Sequence, residues 1–164
     1  MKCLCFSDSH GSTNNIRAAL NKHPDAEVIF FLGDGLVDLE DFISDRSRAW
    51  LAVQGNCDYF AAFGDSFAKK TDSITLMGKR IFFTHGDLYG VKYGIDGVTK
   101  LAIDHNADLV LFGHTHQPLE KYISTEHTGF YLFNPGSIGG GYEGRSYGII
   151  NITDKGILLS HGRL

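Results

Sequence analysis

The 164-residue chain predicts an α/β fold: a two-sheet β-sandwich flanked by helices. Three observations predict it. Apolar runs of strand length alternate with helix-length stretches through the first half. The second half is dominated by short strand-like runs, so a single doubly wound sheet fits less well. Polar residues beside glycine recur where the apolar runs stop.

The elements follow in order. Lys2–Ser7 reads as a strand. Asn14–Asn21 reads as a helix, opened by Ser12 or Thr13 and closed before Pro24. Val28–Leu32 is continuously apolar, as a strand buried on both faces is. Leu39–Arg46 carries a helical pattern, and Ala49–Val53 is a third strand. Ser73–Leu76 and Arg80–Thr84 form a hairpin about Met77, Gly78 and Lys79. Val98–Asn106 is helical, and Leu109–Phe112 is a buried strand. Short strands are expected near Leu119–Ser124, Phe130–Phe133, Tyr147–Ile152 and Ile157–Ser160. No repeat or linker interrupts this run, so one domain over residues 1–164 is expected.

Composition is that of a globular protein, with 43% hydrophobic, 12% aromatic and 21% charged residues. A net charge of -4 with His neutral, and no clustered Lys or Arg, argues against an extended nucleic-acid surface. A small anionic substrate stays open, because bound cations invert the local sign. The cysteines are Cys3, Cys5 and Cys57, an odd number without a C-x-x-C pair, so neither a disulfide framework nor a zinc ribbon is expected. Cys3 and Cys5 share one strand face and read as small buried hydrophobes. The first apolar stretch is too short for a signal peptide, and no segment approaches the ~20 apolar residues of a membrane span. The expectation is a cytoplasmic protein without a membrane partner. A homo-oligomer stays open.

Chemistry concentrates at strand ends. Asp8, Ser9 and His10 follow the first strand. Gly33 and Asp34 follow the second, and Gly55 and Asn56 the third. His85 and Gly86 follow Ile81–Phe83, and Gly113, His114, Thr115 and His116 follow Leu109–Phe112. Strands lying side by side would bring all these clusters to one crevice, where α/β sheets bind ligands. Asp8, His10, Asp34, Asn56, His85, His114 and His116 offer oxygen and imidazole nitrogen without thiolate, a donor set for Mn, Fe, Zn, Ni or Co. That is more than one ion needs, and enough for two if a carboxylate bridges. A paired site ~3.5–4 Å across acts on phosphate esters by clamping the attacking and leaving oxygens. Each piece alone has a bland reading, as a turn residue or a satisfied core histidine. The clusters taken together do not.

These motifs resemble the calcineurin-like metallophosphoesterase superfamily, whose signature runs D-x-H, G-D, G-N-[HD], a His before Gly, and G-H-x-H. Here they read Asp8-Ser9-His10, Gly33-Asp34, Gly55-Asn56, His85-Gly86 and Gly113-His114-Thr115-His116. The Asn134-Pro135-Gly136-Ser137 stretch and the short length are similar to the YfcE-type phosphodiesterases. The resemblance implies a metallophosphoesterase-like, four-layer sandwich. It implies one ion on Asp8, His10, Asp34 and His116 and another on Asp34, Asn56, His85 and His114, with manganese first and Ni, Fe, Co or Zn as alternatives. Asp34 would bridge together with a hydroxide that attacks phosphorus.

Two departures stand out. Where many relatives carry His after Gly-Asn, this chain has Cys57 then Asp58. A thiol of free pKa ~8.5 replaces an imidazolium poorly as a general acid. Asn56, Cys57 and Asp58 are therefore the candidate catalytic residues, with low activity expected on poor leaving groups. After His85-Gly86 comes Asp87 instead of His, read as a solvated acid or an orienting group. Asp38 reads as a first-turn acid of a helix. Arg145, in a glycine-rich loop, and the Asn56 amide are the candidate contacts to substrate phosphate. Tyr89 and Tyr93 carry no assigned role. The expected activity is phosphodiester hydrolysis of a small substrate. Its alternatives are a phosphomonoesterase or nucleotide hydrolase, a non-catalytic metal-binding scaffold, and a mononuclear amide or lactone hydrolase.

Overall fold

The computed structural model describes residues 1–58, 68–126 and 129–164. In chain order the elements are β1 (Lys2–Phe6), α1 (Thr13–Lys22), β2 (Val28–Phe31), β3 (Ala49–Ala52), β4 (Thr71–Leu76), β5 (Lys79–Thr84), α2 (Asp96–Asp104), β6 (Leu109–Leu111), β7 (Pro118–Ser124), β8 (Gly129–Pro135), β9 (Ser146–Thr153) and β10 (Gly156–Arg163). The strands make two five-stranded sheets, ordered β10-β9-β1-β2-β3 and β4-β5-β6-β8-β7.

Alternation along the strands builds the layers. On β1, Cys3 and Cys5 face the space between the sheets, with Phe30 and Leu32 from the β2 side and Phe83, Leu109 and Leu111 from the second sheet. Leu4 and Phe6 face outward beneath α1, which packs Ile16, Ala19 and Leu20 on Ile29 and Phe31. On the far side α2 lays Val98, Leu101 and Ala102 over Val110, Phe130 and Leu132. Three apolar interfaces therefore separate four layers, as expected. The shared face of Cys3 and Cys5 is the innermost one.

Parallel pairing fixes the direction of the site. β1, β2 and β3 run parallel in one sheet, with Cys3 opposite Val28 and Val28 opposite Ala49. β5 and β6 run parallel in the other, with Ile81 opposite Leu109. The polar clusters thus converge from two facing sheets, not from one row of neighbouring strands. The hairpin at Met77 and Gly78 turns through positive φ at both residues, 49° and 77°, as a two-residue β-turn between twisted strands requires.

One element differs. Leu39–Arg46 is not an α-helix. A 3-10 turn occupies Leu36–Leu39, and further turns follow. Its bonds are mostly of the i to i+3 kind, with Phe42 N–H donating to Leu39 O and Asp45 N–H to Phe42 O. The Asp38 side chain is drawn away into the first polar loop, and the Asp45 carboxylate accepts the Ser47 N–H in an Asx turn that ends the segment.

Candidate metal centre

Each polar cluster begins where a strand releases its backbone, and the loops are stitched across strands. Asp8 N–H donates to Gly33 O at 3.0 Å, His10 N–H to Asp34 O at 3.2 Å, and Gly113 N–H to His85 O at 2.9 Å. Asp8, His10, Asp34, His114 and His116 all hold positive φ, between 43° and 67°. Outside glycine that region costs on the order of 1–3 kcal/mol per residue and persists where the surroundings dictate it. Five of the seven proposed ligands sit in it, while Met77 and Asn106 are the other non-glycine cases among the described residues. Glycines permit the close approach. A Cβ on Gly55 would run into Asp34 Oδ1, and one on Gly113 into Ser7 Oγ.

Two groups of donors result: Asp8 with His10 and His116, and Asp34 with His85 and His114. In the first, Asp8 Oδ2 accepts Ser7 Oγ–H at 2.5 Å and His114 N–H at 3.1 Å. Asp8 Oδ1 is buried and receives no aligned hydrogen bond from the described residues. His116 Nε2 stands 3.1 Å from it and His10 Nε2 3.9 Å. In the second, His85 Nδ1 lies 2.7 Å from Leu32 O, a carbonyl that can only accept, so Nδ1 carries the hydrogen. Nε2 of neutral His85 is then a lone-pair atom. Around it stand His114 Nδ1 at 3.0 Å, Asn56 Oδ1 at 3.1 Å and Asp34 Oδ2 at 3.4 Å. His85 Nε2, Asn56 Oδ1 and Asp34 Oδ2 bring lone pairs to one point, and a cation or a proton among them removes their repulsion. The residues fit a pair of divalent ions.

The titrations carry the same signature. For Asp34, burial pushes the carboxyl up, but the bond to His85 and the Cys57 N–H at 2.7 Å outweigh it and hold it well below the usual range. For His85, burial lowers the imidazole, while the Asp34 bond and the charges of Asp8 and Asp34 raise it on balance. His116 is raised by the Asp8 carboxylate beside it, against burial. His114 is lowered by burial, then by the His85 and Lys92 charges.

The remaining expected residues divide. Asn56 Oδ1 faces the donor set, while its Nδ2 donates to Cys57 Sγ at 3.3 Å. Cys57 is exposed, and partial desolvation, then the hydrogen bond and charge of Asp34, raise its thiol pKa. Asp58 differs from the expected catalytic placement. Its buried carboxylate accepts four backbone N–H groups: Asp34 and Gly55 on Oδ2, Gly35 and Leu36 on Oδ1, at 2.7–2.9 Å. It ties the second cluster to the third. Arg145 is exposed, with its stem beside Gly140. Lys92, an exposed residue after His85 to which the sequence assigned no role, lends a positive charge that lowers both His114 and His116.

Asp38 is a second carboxylate tie. It accepts Ser9 Oγ–H at 2.5 Å and Gly11 N–H at 2.8 Å, so from the first turn of the 3-10 segment it shapes the His10 loop. The Asp87 Oδ1 atom is buried and has no hydrogen-bond partner among the described residues. Spacing to the motifs could have flagged Asp38. Nothing local in sequence marks Lys92.

Residues 1–155 match the model of the calcineurin-like phosphoesterase superfamily domain. The chain is 31% identical over 138 residues to the probable metallophosphoesterase YsnB of Bacillus subtilis (strain 168), covering 84% of this chain and 75% of that protein. Its fold is similar to an archaeal phosphodiesterase, with TM-score 0.76, 23% identity, and 99% and 100% of the two chains covered. It is also similar to YfcE, a phosphoesterase from E. coli, with TM-score 0.69, 22% identity, and 99% and 98% covered.

Proposed function

The chain belongs to the calcineurin-like phosphoesterase superfamily, and on that premise we propose that it is a dinuclear metal-dependent phosphodiesterase. The observation that carries the reading is the pair of donor groups, with Asn56 Oδ1 and Asp34 Oδ2 gathered about His85 Nε2 and the buried Asp8 Oδ1 beside His116 Nε2. Asp8, His10 and His116 would hold one ion, and Asn56, His85 and His114 the other, with Asp34 shared between them. Two divalent ions would supply positive charge for the phosphoryl oxygens and bring the pKa of a held water to about 7.

The chain's own groups do the rest. Asp8 and Asp34 return two negative charges, so a loaded site stays positive by about two and attracts an anion. Lys92 adds a cation on the His114 and His116 side. Asn56 can turn its amide hydrogens from Cys57 to a phosphoryl oxygen. The Cys57 thiol, raised above its ordinary range, stays protonated at neutral pH and can donate only weakly to a leaving group. Such a site favours a diester with a good leaving group. Manganese is the ion proposed first, with Ni, Fe, Co or Zn also compatible with oxygen and nitrogen donors. The complete donor set speaks against a scaffold that has shed its chemistry.

The test is hydrolysis of a chromogenic aryl phosphodiester by chelator-treated protein, with Mn, Ni, Co, Zn and Mg returned singly. Release that depends on the ion and is lost in Asp34→Ala supports the reading. No release from diesters or monoesters, by protein that holds two ions, would overturn it.

A further inference from the structure

Asn134 lies on β8, outside both donor groups, and its side chain is fully buried. Its Nδ2 donates to Gly113 O at 2.9 Å and to Thr115 Oγ1 at 3.1 Å, while its Oδ1 accepts the Gly136 N–H at 2.9 Å. Its own carbonyl lies 2.7 Å from His161 Nε2. The His161 ring stacks on Phe133 at 4.6 Å. Thr115 is the residue between His114 and His116, both held at positive φ. An amide alone among side chains offers two donors and an acceptor in one plane, so Asp or Leu at 134 cannot replace it.

We infer that Asn134, through the Thr115 hydroxyl, is the positioning residue that sets how tightly the His114–His116 loop holds metal. Partners that orient ligands commonly change metal affinity 10–100-fold when removed. The inference rests on the two-ion reading, and it adds a device that the donor list does not contain. The hydroxyl receives Asn134 Nδ2–H and Gln117 N–H, the latter at 3.2 Å. Removing the hydroxyl frees two ligand histidines at once without touching either ring.

The test is calorimetric titration of manganese into chelator-treated full-length protein, comparing wild type, Thr115→Val, Thr115→Ser and Asn134→Ala. Thr115→Val keeps the side-chain shape and removes the hydroxyl, so the fold is kept even if Asn134→Ala fails to fold. The expected result is an affinity about tenfold or more weaker for Thr115→Val. Thr115→Ser should bind as wild type does, and both metal-free variants should still unfold in one cooperative transition. Wild type that takes up two ions, with Thr115→Val indistinguishable from it, would overturn this inference alone. Equal weakening in Thr115→Ser would overturn it as well. Wild type that takes up fewer than two ions would remove the two-ion reading and this inference with it.

Discussion

The Asp58 carboxylate receives the Asp34 backbone N–H at 2.7 Å, so a side chain 24 residues along the chain fixes the peptide that carries the proposed bridging carboxylate. Three further N–H groups, from Gly35, Leu36 and Gly55, close on the same carboxylate. A negative group between four amide dipoles is well satisfied, and the four amides depend on it in turn.

Asp58→Ala should therefore destabilise the metal-free protein by about 3 kcal/mol or more, because it leaves buried donors unmet. Urea unfolding in chelator measures it. A loss below about 1 kcal/mol would mean that water replaces the carboxylate without cost.

Lys92 and Arg145 make opposite predictions. If Lys92 attracts the substrate anion, Lys92→Ala should raise KM for a phosphodiester roughly 3–10-fold with kcat little changed, as loss of ground-state charge attraction does. The effect should shrink in added salt. Arg145→Ala should leave KM within about twofold. The reverse pattern would assign the contact to Arg145.

Loading should release protons. The imidazoles of His85 and His116 are raised above 6.5, each by a facing carboxylate, and a cation must displace any proton held there. His114 is lowered, by burial first, and so adds least to the release. Metal affinity should thus climb as pH rises from about 6.5 through the raised values and then level off. Titrations in buffers of different ionisation enthalpy measure the release. Affinity that is flat from pH 6 to 8 would contradict the assignment of these two rings as ligands.

The three thiols should separate by burial. Cys3 is pushed up to about 12 by burial, and Cys5 well above its ordinary value for the same reason, while Cys57 is exposed. Maleimide at pH 7 should label one thiol in the native protein and three after denaturation, with Cys57 slowed by the nearby Asp34 charge. Two fast-reacting native thiols would place β1 differently.

Much of this was legible in the sequence, for a physical reason. A strand buried on both faces must be apolar along its length, so Val28–Leu32 announced itself, and every polar residue directly after such a run sits at the sheet's edge. Asp8, Asp34, Asn56, His85 and the His114–His116 pair could be found that way. Their division between two facing sheets could not, because strand pairing is decided by contacts far apart in the chain. The same limit explains Asp58. Beside Cys57 it looked like part of the reaction, and only folding shows its carboxylate turned to the backbone of residues 34–36. The Leu39–Arg46 stretch misled for a local reason: its apolar spacing suits a helix, yet Asp38 just before it and Asp45 within it both bond elsewhere and break the ladder. Asn134 was visible as part of a motif, but its hold on Thr115 depends on β8 lying beside β6.

The most direct test of the account is the crystal structure of manganese-loaded protein, with the ions located by anomalous scattering. The account predicts two peaks per chain, about 3.5–4 Å apart. One should lie on Asp8, His10 and His116, the other on Asn56, His85 and His114, and Asp34 should touch both. A single peak, or a second one away from Asp34, would contradict it.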